Sequence, residues 1–151
     1  MKKILFALFI LGAALSANGQ IYKPIKWSYM VKKLLDTAGY EVHLKADIQH
    51  GWHLYAQSQP PGAIAKPTQI IFKKDEDLVL IGKIREKGKQ RNSFNSSLGV
   101  SANQYEGMVD FVQVIKVKDN LKTISGTITF QTCTDKMCLP SETVPFTVPL
   151  R

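Results

Sequence analysis

The chain has 151 residues, 44% of them hydrophobic and 21% charged, and carries a formal net charge of +8 at pH 7. That length allows one ordinary domain, and no stretch beyond the N-terminal one is apolar enough to cross a bilayer. The Lys and Arg residues are spread over most predicted elements, without an aromatic-interleaved basic patch or a helical reading motif, which argues against nucleic-acid binding and leaves a solvated surface or an acidic protein partner.

At the start of the chain, Lys2 and Lys3 precede an apolar run from Ile4 to Leu15, followed by the small-residue stretch Ser16-Ala17-Asn18-Gly19. The run is shorter than the roughly 20 apolar residues of a spanning helix. Residues 1–19 are therefore expected to be a secretory signal peptide cleaved before Gln20, and residues 20–151 the mature domain. Cleavage would remove Lys2 and Lys3 and lower the formal charge from +8 to +6.

Strand signals fill the remainder. Tyr40, Val42, Leu44, Ala46 and Ile48 alternate with Glu41, His43, Lys45, Asp47 and Gln49, which is the two-residue period of a half-buried strand. His43 falls on the polar face and is expected to be solvated. Similar segments lie at 25–34, 52–56, 68–74, 78–86, 107–117, 123–132 and 143–150, separated by turn signals such as Pro60-Pro61-Gly62 and Asp119-Asn120. About eight short strands in about 130 residues predict an all-β, immunoglobulin-like antiparallel β-sandwich, because a single sheet of that size would leave an apolar face wet. Its expected core holds Trp27, Val42, Leu44, Ile70, Phe72, Phe111, Ile128, Phe130 and Phe146.

Two segments carry further positional information. In 143–150, Pro145 and Pro149 remove backbone donors on one side, so that strand is expected at a sheet edge or beside a bulge. Residues 87–104, which open with Lys87-Gly88-Lys89-Gln90-Arg91-Asn92, show no period and are expected to form a long irregular loop of the kind that tends to be functional.

Cys133 and Cys138 are the only cysteines, five positions apart, and in an exported protein they can pair only with each other. Closing so short a loop restrains the unfolded chain by about 2 kcal/mol, against nearly 5 for a loop of about 100 residues, so the pair is poorly placed as a staple. Ile124, Ile128 and Phe130 mark the core face of 123–132, and continued alternation would set Cys133 on the opposite, reachable face. Thr134-Asp135-Lys136-Met137 forms a turn, and Leu139-Pro140 stops any continuation. Disulfide exchange needs a thiolate, an accessible sulfur and a resolving thiol, all compatible with this pattern. Lys136 would favour a thiolate and Asp135 would oppose it.

Two other classes fit the same residues. Cys133, Cys138, Met137 and His53 are soft ligands suited to Cu(I), whereas a structural zinc site would lack its second ligand pair; no resident metal or cofactor is expected. An inert disulfide on a binding module would leave the edge strand to recruit a partner by strand addition.

The run Phe130-Gln131-Thr132-Cys133-Thr134-Asp135-Lys136-Met137-Cys138-Leu139-Pro140-Ser141-Glu142 resembles the cysteine strand and turn of the N-terminal periplasmic domain of DsbD, the transmembrane thiol:disulfide interchange reductase. Gly51-Trp52-His53-Leu54-Tyr55 resembles that family's Gly-aromatic-aromatic-Leu-Tyr strand. The resemblance implies a periplasmic immunoglobulin-like domain that passes electrons from a thioredoxin-like donor to thiol/disulfide acceptors such as a disulfide isomerase or a cytochrome-maturation thioredoxin. By position, Cys138 would link to the partner and Cys133 would resolve the intermediate.

The same resemblance sets Tyr55 near the cysteines, where its hydroxyl would orient a sulfur, with His53 in the same strand; both residue types also serve as plain packing. Family members shield the pair with a cap loop bearing an aromatic between acidic residues and glycine. The corresponding Asn95-Ser96-Ser97-Leu98-Gly99 has neither aromatic nor acid, so Phe94 or Leu98 is expected to do the shielding. The chain shows no counterpart of the reductase's membrane and thioredoxin-like domains, and a separate protein is the expected donor.

Overall fold

The computed structural model describes residues 22–35, 39–118 and 121–150; the expected signal peptide, its cleavage site and the Asp119-Asn120 turn lie outside them. The strands are β1 (Ile25–Lys33), β2 (Gly39–Ile48), β3 (His53–Tyr55), β4 (Gln69–Phe72), β5 (Leu78–Asn95), β6 (Val100–Val117), β7 (Thr123–Phe130), β8 (Thr132–Cys133) and β9 (Glu142–Pro149). None of the described residues is helical.

All pairings are antiparallel, and they build two sheets. The larger runs β1-β2-β6-β3-β8, with β5 also paired to β6; the smaller runs β4-β7-β9. β6 is the spine of the larger sheet. Its residues 108–116 pair with β2 and 104–105 with β3, while β5 follows its other edge along nearly the full length. The chain is thus an immunoglobulin-like β-sandwich, as the strand pattern predicts.

The core lies between the sheets. Val42, Leu44, Ala46, Phe111 and Ile115 come from the larger sheet and Phe72, Ile124, Ile128, Phe130, Phe146 and Val148 from the smaller; all are buried. Full burial of each of these side chains larger than Ala46 contributes about 1.5–3 kcal/mol before chain entropy is counted. Trp27 and Ile70 are only partly buried and pack against this cluster. Trp27 meets Phe130 edge-on at 5.4 Å, and Phe72 meets Phe146 in the same way at 5.3 Å. Gly126 pairs with Phe146 across the ladder, and a Cβ there would collide with that ring and with the Ile71 carbonyl. Among the described residues β9 pairs only with β7, so Pro145 and Pro149 do lie on an edge strand.

Three expectations need correction. Residues 87–104 are not an irregular loop: β5 and β6 continue as a hairpin arm, closed by a turn in which the Gly99 and Leu98 amides donate to the Asn95 carbonyl. Residues 87–95 are exposed throughout, so the β5 half of the arm has no buried face to impose an apolar period, and the backbone ladder holds it to β6. The register slips between Gly88 and Gln90, where Gly107 takes φ +72°. Extra residues of this kind bend and twist a strand.

The strand predicted over 123–132 also does not run through. β7 ends at Phe130, and the chain crosses at Gln131 to the larger sheet, where β8 pairs with β3. Alternation holds only within one sheet, and Cys133 is 1% exposed instead of reachable. His43, expected to be solvated, is half-buried, with Nδ1 2.7 Å from Asp110 Oδ2. Neighbouring Glu41 is in turn bound by Arg85 of β5 at 2.7 Å.

Candidate functional site

The crossing at Gln131 creates the site. It sets β8 beside β3 with His53 opposite Cys133 and Leu54 opposite Thr132. Directly opposed residues share a sheet face with Cβ atoms about 4.5–5.5 Å apart, and residues two apart in a strand share it too. His53, Tyr55 and Cys133 are therefore grouped on one face, while Leu54 points into the core. The Tyr55 hydroxyl donates to Cys133 Sγ at 3.3 Å, and the His53 ring meets the Tyr55 ring edge-on at 5.3 Å.

Cys133 and Cys138 are joined by a disulfide, with Cα atoms 4.0 Å apart. The turn between them has its own hydrogen bonds. Thr134 Oγ1 accepts from the Lys136 and Met137 amides, and the Thr134 amide donates to the Met137 carbonyl at 2.8 Å. Beyond the cysteines, the Leu139 amide donates to the Thr132 carbonyl and Gln131 Nε2 to the Leu139 carbonyl. These bonds do not involve sulfur, so they are available to hold the turn when the disulfide opens.

The two sulfur positions differ sharply in access. Cys133 is enclosed, whereas Cys138 is exposed along with Asp135, Lys136 and Met137. Cys138 opens onto a cleft of about 730 Å³ whose lining includes His53, Tyr55 and Gln104. The 134–137 turn lines one part of it, Ile64, Ala65 and Lys66 another, and the tip of the β5–β6 arm a third through Phe94, Asn95, Ser96 and Leu98. Phe94 and Leu98 are 65% and 60% exposed and contribute nothing to the core. Gly99 lies in the tip turn at φ +67°, a left-handed conformation that glycine adopts without cost from a Cβ.

Burial tunes the two side chains beside Cys133 in useful directions. It holds the His53 imidazole below its ordinary value against the opposing pull of Asp135 and Glu106, which favours the neutral ring. It pushes the Tyr55 phenol up, so that its hydroxyl remains a donor. The described residues hold no group of three or more His, Cys, Asp or Glu placed to bind a metal ion.

The sequence singled out the cysteines, His53, Tyr55, Phe94, Leu98 and Gly99; the structure brings all but Gly99 to the disulfide or its cleft. It also adds residues not anticipated. Gln104 is buried opposite Tyr55 in the ladder, and Ile64 and Lys66 arrive from an irregular segment that no sequence period marks. Thr134 was legible as part of a turn, since a hydroxyl followed within three residues by free amides is the signature of a side-chain-capped turn.

Residues 27–149 match the family described as thiol:disulfide interchange protein DsbD, N-terminal. Among solved structures, the N-terminal periplasmic domain of ScsB from Proteus mirabilis is similar with a TM-score of 0.58 and 16% identity, over 84% of this chain and 47% of that one. The chain thus spans about half the length of that domain. The N-terminal domain of DsbD from Neisseria meningitidis, in its reduced form, is similar with a TM-score of 0.55 and 15% identity, over 89% of this chain and 94% of that one. At such identities the likeness to these structures is one of fold. No curated protein sequence matches the chain.

Proposed function

Because the chain belongs to the family of N-terminal domains of the thiol:disulfide interchange protein DsbD, we propose that it is exported to the periplasm and relays electrons there through Cys133 and Cys138. A thioredoxin-like protein is the donor, and periplasmic thiol/disulfide proteins are the acceptors. The observation that carries this reading is the asymmetry of the disulfide, one sulfur enclosed beneath a tyrosine hydroxyl and the other open to a cleft.

Each step follows from that asymmetry. A donor thiolate attacks Cys138 Sγ, the Cys133–Cys138 bond breaks, and its electron pair leaves on Cys133 Sγ. The Tyr55 hydroxyl, already 3.3 Å away, steadies the new thiolate where water has little access. The donor's second thiol then attacks its own linked sulfur, releasing oxidised donor and reduced domain. In the second half, the Cys138 thiolate attacks an acceptor disulfide and Cys133 displaces the acceptor sulfur from Cys138, restoring the disulfide. Two electrons and two protons pass in all.

The test is to trap the intermediate. Cys133→Ser should accumulate a mixed disulfide at Cys138 with a thioredoxin-like protein, whereas Cys138→Ser should accumulate little because Cys133 is enclosed. Equal trapping by both variants would refute the assignment, and a wild-type reduction potential below about −300 mV would mark the pair as a structural staple.

A further inference from the structure

The proposed exchange leaves one chemical task without an owner. Cys133 must become a thiolate to resolve the mixed disulfide, yet it is 1% exposed, and burial in an apolar site favours the neutral thiol. Tyr55 cannot remove the proton, because its hydroxyl is the donor toward that sulfur.

We infer that His53 is the proton acceptor for Cys133, a role that rests on the exchange function proposed above. Three observations converge on it. The ladder register sets His53 directly opposite Cys133, on the same face. The ring also lines the cleft that Cys138 opens onto, so it connects an enclosed sulfur to the solvent side of the site. Its edge-on contact with the Tyr55 ring fixes it beside the group that already holds the sulfur. Burial, by favouring the neutral imidazole, leaves a ring nitrogen free to accept.

The step balances. In the mixed disulfide between Cys138 and an acceptor, neutral His53 takes the proton of the Cys133 thiol, and the thiolate attacks Cys138 Sγ. The bond from Cys138 to the acceptor sulfur breaks, and the acceptor leaves as a thiolate carrying the electron pair. The proton on His53 passes out through the cleft, to that thiolate or to water. Between proton transfer and attack, the thiolate and the imidazolium form an ion pair of the kind that lowers a thiol's pKa.

Other charged and titratable groups surround this pair. Asp135 and Lys136 lie on the 134–137 turn, Lys66 on the segment lining the cleft opposite, and Glu106 on β6; Tyr55 belongs to the same strand as His53. Asp135 and Glu106 both favour imidazolium and so support the charged pair once it forms.

The experiment reads the coupling directly. In a Cys138→Ser background, thiolate absorbance reports the Cys133 titration, and adding His53→Gln should move it up by about one pH unit. In the otherwise wild-type chain, the His53→Gln substitution should slow release of the acceptor from the mixed disulfide about tenfold while its formation at Cys138 keeps its rate. The imidazole signals of His53 in the unsubstituted protein should titrate at a different pH in the reduced and oxidised forms, a measurement that needs no variant to fold. An unchanged Cys133 titration, or an imidazole titration indifferent to reduction, would overturn the inference. Both thiol and imidazole titrations are independent of any partner, so a failure to form mixed disulfides would count against the exchange function alone.

Discussion

The body of the sandwich and its redox end use the same strands in opposite ways. In the body, β2, β7 and β9 each bury one face, β6 is buried on both sides at Phe111, Val112 and Gln113, and an interlocked set of rings around Phe146 leaves no room even for a Cβ at Gly126. At the redox end the same β6 runs on as an arm with its β5 partner exposed, and a short β3–β8 ladder supports an open cleft of mixed lining. Stability is therefore concentrated in one region and chemistry in the other. Changes in the body should cost folding without altering the chemistry of the folded fraction, and changes at the redox end should do the reverse.

The largest effect on stability is expected from Phe146→Ala, which removes a buried ring touching Phe72 and Tyr29 and should cost about 3–5 kcal/mol, measured by denaturant unfolding. The folded fraction should still exchange disulfides at the wild-type rate. A variant that stays folded but loses exchange would show that the two regions are coupled.

The cysteines come next. A Cys133→Ser, Cys138→Ser double variant loses a five-position cross-link worth about 2 kcal/mol and should keep its β-sheet circular dichroism and a cooperative melt, lowered by several degrees. Exchange should be abolished. A chain unfolded at room temperature would erase the division between the two regions and make the disulfide structural.

Tyr55→Phe is smaller again for stability, because one neutral hydrogen bond contributes only about 0.5–1.5 kcal/mol net. Its effect on rate should be larger, since bonds to a charged group are worth about 1.5–3 kcal/mol, equivalent to a slowing of about tenfold or more. The measurement is stopped-flow reduction by a thioredoxin-like protein beside a thermal melt. Equal small changes in both would reduce Tyr55 to packing.

The same contrast explains what could be read in advance. Alternation over 40–48 and 143–150 is visible because each strand has one buried face, and that face is what makes a sandwich legible. The arm escaped notice because Lys87 to Asn95 is solvated on both faces, leaving only the turn chemistry of Asn95 and Gly99 as a sign. Cys133 was assigned the wrong exposure for a related reason: the strand pattern gives no warning that the chain changes sheets at Gln131. The cysteines were found from their number and spacing and Tyr55 through family resemblance, while the cross-strand pairing of His53 with Cys133 is a long-range register that local periodicity does not encode.

The smallest effect on stability, and the sharpest test of the arm, comes from Phe94→Ser and Leu98→Ser. Both side chains are more than half exposed, so each substitution should shift unfolding by no more than about 0.5 kcal/mol. Apolar groups held in water at the rim of a reactive cleft have two uses that call for opposite outcomes. As a cover, they obstruct small reagents, and their loss should speed reduction of the disulfide by dithiothreitol. As a contact, they bury against a protein partner, and their loss should slow exchange with a thioredoxin-like protein while leaving dithiothreitol unaffected. The position of both residues on the same cleft as Cys138 favours a combination in which reduction by the small thiol quickens severalfold and exchange with the protein slows. Two rates measured on one pair of variants decide among these. If neither rate moves, the arm is a passive extension of β5 and β6, and the redox end contracts to the β3–β8 ladder and its turn.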